Sequence, residues 1–202
     1  MVRGRAGYPR GVQLILIRHG RPERIDHDPD GADPALTELG HRQAAAMAEF
    51  LADQELSAIY TSPQLRAIET AQPLVASKGL EPTIVPGIAE FDHGHTSYVP
   101  GEEMGPITDA ELEELIARAT ANEFIERVRA ATTSIIDAHP GEAVAAVCHG
   151  GVISIILNDI LGTPIETYYD SKYTSVTRVS ASREGRRSMS SFNECHWIRD
   201  LS

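Results

Sequence analysis

A chain of 202 residues with 42% hydrophobic side chains is long enough for one sizeable core and thin for two. The net charge of −11 argues against a general nucleic-acid binder, and two cysteines are too few for a disulfide framework. No run approaches the length of a membrane span, and no apolar segment follows the basic N-terminal stretch of Arg3, Arg5 and Arg10 as a signal peptide would require, so a soluble cytoplasmic protein is expected.

Residues 12 to 18 form a short apolar run that predicts a buried strand. The Asp-, Pro- and Gly-rich segment from His19 to Leu36 predicts a loop. Helical spacing follows, with Ala44, Met47 and Leu51 on one face and Thr37 as N-cap. A strand over Ala58 to Thr61 leads to a second helix, with Ser62 as its cap, Pro63 at its first position and Gly79 at its end. Residues 82 to 86 predict a brief strand, and 88 to 107 a long loop rich in glycine and histidine. One or two helices are expected over 108 to 138. The segment from Glu142 to Gly162 reads as a strand to Cys148, a Gly-Gly turn and an apolar helix to Leu161. Residues 174 to 182 and 187 to 194 predict a pair of strands. Strands alternating with helices imply a three-layer α/β/α sandwich with a mostly parallel central sheet, and one domain over 1–202. Residues 1–11 would be its tail, and about 88–129 a specificity loop and cap.

In such sheets ligands bind at the carboxyl ends of strands. The strand-to-helix junctions carry Arg18, His19 and Gly20; Ser62, Pro63 and Arg66; Glu90; and His149, Gly150 and Gly151. That set suits phosphoryl transfer. Arginine forks grip phosphate oxygens two at a time, helix N-termini add N–H donors, and a histidine kept neutral by nearby arginines is a competent nucleophile. Arg21 and Arg24 follow closely enough to meet a second anionic group on a substrate. Asp92, His93 and His95 invite comparison with a metal site, but their spacing supports a substrate mouth, with Tyr98, better. Cys148 reads as a small buried hydrophobe.

The blocks "LIRHG", "TSPQLRAIETA" and "CHGG", with "DPALTELGHRQA" between them and "NECHWI" after them as a last strand, resemble the signature of the histidine phosphatase superfamily, also called phosphoglycerate mutase-like. The likeness runs in order over residues 12 to 198. It implies a phosphoglycerate mutase-like fold and a metal-independent phosphomonoester hydrolase with no cofactor. His19 would attack phosphorus through Nε2 and become a phosphohistidine. Arg18, Arg66, His149 and the Gly150 N–H would hold the phosphoryl oxygens. Glu90 would act as general acid and then base, with Asp92 as the fallback.

"RPERIDHDPDGAD" after the histidine lacks the Ser/Thr run and tryptophan block of mutase-like members, so hydrolysis is expected over transfer. The alternatives are phosphoglycerate mutase-type transfer and a non-catalytic protein that keeps the phosphate pocket. A dinucleotide-binding fold is excluded by RHG where a glycine fingerprint belongs, and a cysteine phosphatase by the missing arginine after Cys148. The expected partner is a small phosphorylated substrate, with no nucleic acid and no membrane; a homodimer stays open.

Overall fold

The computed structural model describes residues 11–199, so the basic stretch with Arg3, Arg5 and Arg10 lies outside the described residues. Eleven regular elements follow in chain order: β1 (Val12–Arg18), α1 (Glu38–Phe50), β2 (Ala58–Thr61), α2 (Leu65–Lys78), β3 (Pro82–Ile84), α3 (Asp109–Ala119), α4 (Asn122–Ala138), β4 (Ala143–Cys148), α5 (Gly150–Leu161), β5 (Val176–Ala181) and β6 (Arg187–Glu194). The strands form one sheet in the order β3-β2-β4-β1-β5-β6. The first four are mutually parallel, and β5 and β6 run antiparallel at one edge.

β1 lies inside this sheet, and its alternating side chains divide between two cores. Leu14 and Leu16 pack with Val128 and Ile136 of α4 and Ile153 and Leu157 of α5. Ile15 and Ile17 pack on the other face with Met47 of α1 and Ala67, Ala71 and Leu74 of α2. Helices thus cover both faces of the sheet, giving the expected three layers. Among the described residues, no helix is long and apolar enough to cross a membrane.

Thr37 caps α1 by accepting the Gly40 N–H (2.9 Å), and Gly79 ends α2 in the left-handed conformation (φ 62°), both as the sequence predicts. The start of α2 differs. The helix begins at Leu65, two residues beyond the predicted start, with Gln64 as its N-cap residue. Ser62 is buried, with its hydroxyl against His149 Nε2 and accepting the Gln64 N–H (3.3 Å) ahead of the helix; the Asp33 carboxylate accepts the Leu65 N–H (2.9 Å). Gly150 and Gly151 also form no turn, being the first residues of α5. The last strand stops at Glu194 rather than running through "NECHWI"; His196–Ile198 is a 3₁₀ turn that stacks Trp197 on Phe50, with ring centroids 4.1 Å apart.

Candidate active site

The sheet order sets three strand ends side by side. Arg18 and Cys148 are register partners in β1 and β4, and the His19 N–H donates to the Cys148 carbonyl (3.0 Å). His19 and His149 therefore leave adjacent parallel strands together, with ring centroids 5.1 Å apart. On the other side of β4, the Ser62 N–H donates to the Val147 carbonyl (3.0 Å), which brings the Ser62 hydroxyl within 2.7 Å of His149 Nε2.

His19 Nδ1 lies 2.8 Å from the Gly20 carbonyl, an acceptor only, so a neutral imidazole carries its proton there and leaves Nε2 with a lone pair. Burial, then the charges of Arg66 and Arg18, hold its pKa well below the usual histidine value. His149 is shifted the same way, by burial first and then by Arg66, His19 and Arg18. The Ser62 hydroxyl lies 2.7 Å from His149 Nε2, and where it donates there a neutral ring carries its proton on Nδ1.

Two aromatic rings back the two guanidinium groups. Arg18 lies over Tyr173 (4.4 Å to the ring centroid) and donates through Nη1 to the Ser171 carbonyl. Thr174 holds this corner in a left-handed conformation (φ 53°) unusual for a β-branched residue, its N–H reaching the His19 carbonyl (3.2 Å). Arg66 lies over Tyr98 (4.6 Å) and gives Nη2 to both oxygens of Asp92 (2.8 and 2.9 Å). Gln64 Nε2 donates to the same carboxylate (2.9 Å). Arg18 Nε, Arg66 Nε and Nη1, and His149 Nδ1 are buried and have no hydrogen-bond partner among the described residues. Four charged or polar donors left this way are costly unless an anion accepts from them.

Glu90 is buried beside them. Its carboxyl accepts the Gly151 N–H (2.8 Å) and the Phe91 N–H (3.1 Å), and its own N–H donates to Gln64 Oε1 (2.7 Å). Burial, and then the charge of Asp92, raise its pKa to about 7 against the pull of those two N–H groups and Arg66. The two glycines of α5 are explained by what they touch. A Cβ on Gly150 would stand 2.2 Å from the Tyr168 hydroxyl, and one on Gly151 2.3 Å from a Glu90 oxygen.

Arg18, His19, Arg66, Glu90 and Gly150 line one cavity of about 500 Å³, with Asp92 and Tyr98. His149 is not on that lining, but its ring stands 5.1 Å from the His19 ring. Arg21 and Arg24 do not join them. Arg21 pairs with Glu102 (2.9 Å) and Glu103 (2.8 Å), and Arg24 with Asp26 (2.6 Å), so the second-anion site expected of them does not form. Asp92, His93 and His95 do not converge either: Asp92 is turned to Arg66, and His95 Nδ1 meets Arg118 Nη1 (2.7 Å). Gln64 and Tyr173 were not singled out by sequence reading. Gln64 lies inside the "TSPQLRA" block and was open to notice; Tyr173 sits in an irregular segment with no periodicity to mark it.

A family model described as the histidine phosphatase superfamily (branch 1) matches residues 14–194. Phosphoserine phosphatase 1 of Hydrogenobacter thermophilus is 38% identical over 98 residues, 46% of this chain and 45% of that protein, so the match spans less than half of that relative. A Yersinia enterocolitica protein named "Probable phosphoglycerate mutase GpmB" is 27% identical over 164 residues, 76% of each chain. Among solved structures, phosphoserine phosphatase of Entamoeba histolytica in complex with 3-phosphoglyceric acid superposes with a TM-score of 0.68 at 21% identity, covering 93% of this chain and 99% of that one. A mycobacterial glucosyl-3-phosphoglycerate phosphatase gives 0.66 at 22% identity, covering 90% and 98%. At these identities the structural likeness speaks for the fold.

Proposed function

The chain belongs to the histidine phosphatase superfamily, branch 1, and on that premise we propose that it is a metal-independent phosphomonoester hydrolase working through a phosphohistidine on a small phosphorylated metabolite. The observation that carries this reading is the group of buried, unpartnered donors on Arg18, Arg66 and His149 beside a neutral His19. A phosphoryl group is the acceptor that matches them in charge and geometry.

In the first step the lone pair of His19 Nε2 forms a bond to phosphorus as the ester P–O bond breaks. Glu90, protonated in part near neutral pH, gives its proton to the leaving alkoxide, so the alcohol departs neutral. Glu90, now a carboxylate, takes a proton from water as that water attacks the phosphohistidine. Orthophosphate leaves and both residues return to their starting states. The two arginines, the His149 Nδ1–H and the Gly150 N–H would balance the charge that builds on the phosphoryl oxygens. Asp92, already in a two-oxygen contact with Arg66, reads better as the residue that orients that arginine than as the acid.

The relative named as a phosphoserine phosphatase, 38% identical over 98 residues, supports hydrolysis. The reading involves neither nucleic acid nor membrane, in keeping with the net charge, and the two free cysteines, Cys148 and Cys195, suit a cytoplasmic setting. The test is single-turnover trapping with a labelled phosphomonoester. The wild-type protein should form an acid-labile, base-stable phosphoenzyme, and His19→Ala should form none while losing turnover by at least about a thousandfold. A phosphoenzyme in His19→Ala, or activity lost to a chelator and restored by a metal, would overturn the mechanism.

A further inference from the structure

The phosphatase reading leaves open what the phosphate is attached to, and the rest of the cavity bears on that. We infer that the substrate is the phosphate ester of an apolar, uncharged alcohol, whose hydrocarbon part lies against α3 while its phosphate lies between Arg18 and Arg66. The inference rests on the proposed hydrolase activity and adds the class of leaving group.

The first observation is the wall. Beyond the polar floor, the cavity is lined by Phe91, Met104, Leu112, Leu115, Ile116 and Ile165. Three of these, with Ala119, lie on α3 at positions 112, 115, 116 and 119, a spacing that makes one helical stripe. Such a stripe ordinarily enters a core. Here α3 has no buried residue, and Leu112 and Ile116 remain 43% and 40% exposed; the space that they face is the cavity, continuous with the phosphate-binding floor.

The second observation is charge. The cationic side chains lining the cavity are Arg18 and Arg66, and the reaction uses both. The other charges on the lining are acidic: Glu90, Asp92 and Glu166. Nearby cations are engaged elsewhere, Arg21 by Glu102 and Glu103 and Arg118 against His95. A substrate bearing a carboxylate, as phosphoserine and phosphoglycerate do, would set that group against apolar carbon and like charge with no cation to receive it. An alkyl or aryl group meets no such cost and removes the stripe from water. A cavity of about 500 Å³ has room for it, within the span of roughly 300–1,000 Å³ usual for small-molecule sites.

The n-alkyl phosphates from ethyl to octyl share one leaving-group basicity, so the change in kcat/KM along them reads binding of the chain rather than chemistry. The ratio should climb by about two- to fourfold per methylene until the cavity is filled. Hexyl phosphate should exceed phosphoserine and 3-phosphoglycerate by at least about a hundredfold. Ile116→Lys, at a half-exposed position that tolerates the change, should flatten the climb and narrow that gap. A flat series, or a preference for either carboxylate substrate, would overturn this inference and leave the hydrolase standing. If no ester releases phosphate and none traps a phosphoenzyme, the hydrolase reading falls and takes this inference with it.

Discussion

Two neutral histidines and one carboxyl balanced near neutrality occupy the same few ångströms, and the balance comes from their surroundings. Both imidazoles are kept uncharged by burial and by the arginines. Glu90 is pushed the other way, by burial and by Asp92, so that it holds a proton at pH values where an exposed glutamate would not. If Glu90 is the acid, its removal matters in proportion to how much the leaving group needs a proton. Glu90→Gln should lower kcat on hexyl phosphate by about 10²- to 10⁴-fold. On p-nitrophenyl phosphate, whose leaving group departs unaided, the first step should change little. The alkyl substrate should also lose rate as pH rises through about 7 in the wild type, as Glu90 gives up its proton. Parallel losses on the two substrates would take the acid role away from this residue. The Arg66–Asp92 pair beside it, with Gln64 bonded to Asp92 and to the Glu90 N–H, could not be read from sequence, because 26 residues separate Arg66 from Asp92 and no pattern links them.

Elements were legible where one local rule governed them. The strands Val12–Arg18 and Ala58–Thr61 follow their apolar runs, and α1 follows its stripe and its threonine cap. Sequence reading failed where a residue had a tertiary partner that overrode its local preference. Ser62 is a good cap by type, but it lies ahead of the helix against His149, and Asp33 from a distant loop accepts the Leu65 N–H. Gly150 and Gly151 look like a turn, yet they open a helix, and they are glycine because Tyr168 and Glu90 leave no room for side chains. That reason has a consequence for the element. Gly151→Ala should drive a methyl group into the Glu90 carboxyl and break its hydrogen bond to the Gly151 N–H. Overpacking of this kind costs about 1–3 kcal/mol, visible as a lowered Tm. Hydrolysis of alkyl phosphates should fall by at least about tenfold, and by more than that of p-nitrophenyl phosphate. Unchanged rates with a lowered Tm would mean that the glycine serves packing alone.

At the scale of the whole molecule, the site sets stability against function through its protons. His19 and His149 are neutral when folded and titrate near 6.5 when unfolded, so below that pH the unfolded chain binds more protons and the fold loses stability as pH falls. Glu90 works in the opposite sense. Its folded pKa of about 7 exceeds 4.5, so between these values the folded chain binds the extra proton. Glu90 therefore favours the fold below about 4.5, and its contribution is lost as pH rises toward 7 and above. The full loss is about 3 kcal/mol by pH 8. Below about 6.5 the two histidine slopes outweigh the single Glu90 slope, so the site's contribution to stability peaks there, falls as Glu90 ionises and is flat only above its titration. Glu90→Gln removes the Glu90 slope. An amide in place of the carboxyl turns an NH₂ toward the N–H of Gly151 or Phe91, a pH-independent penalty of about 1–3 kcal/mol. The readout is therefore the pH dependence of unfolding rather than its value at one pH. Measured by urea titration from pH 5 to 8, the stability of Glu90→Gln relative to wild type should rise by about 2–3 kcal/mol across that range. A difference that stays constant from pH 5 to 8 would mean that Glu90 is ionised at ordinary pH in the folded protein, and an acid already ionised cannot protonate a leaving group.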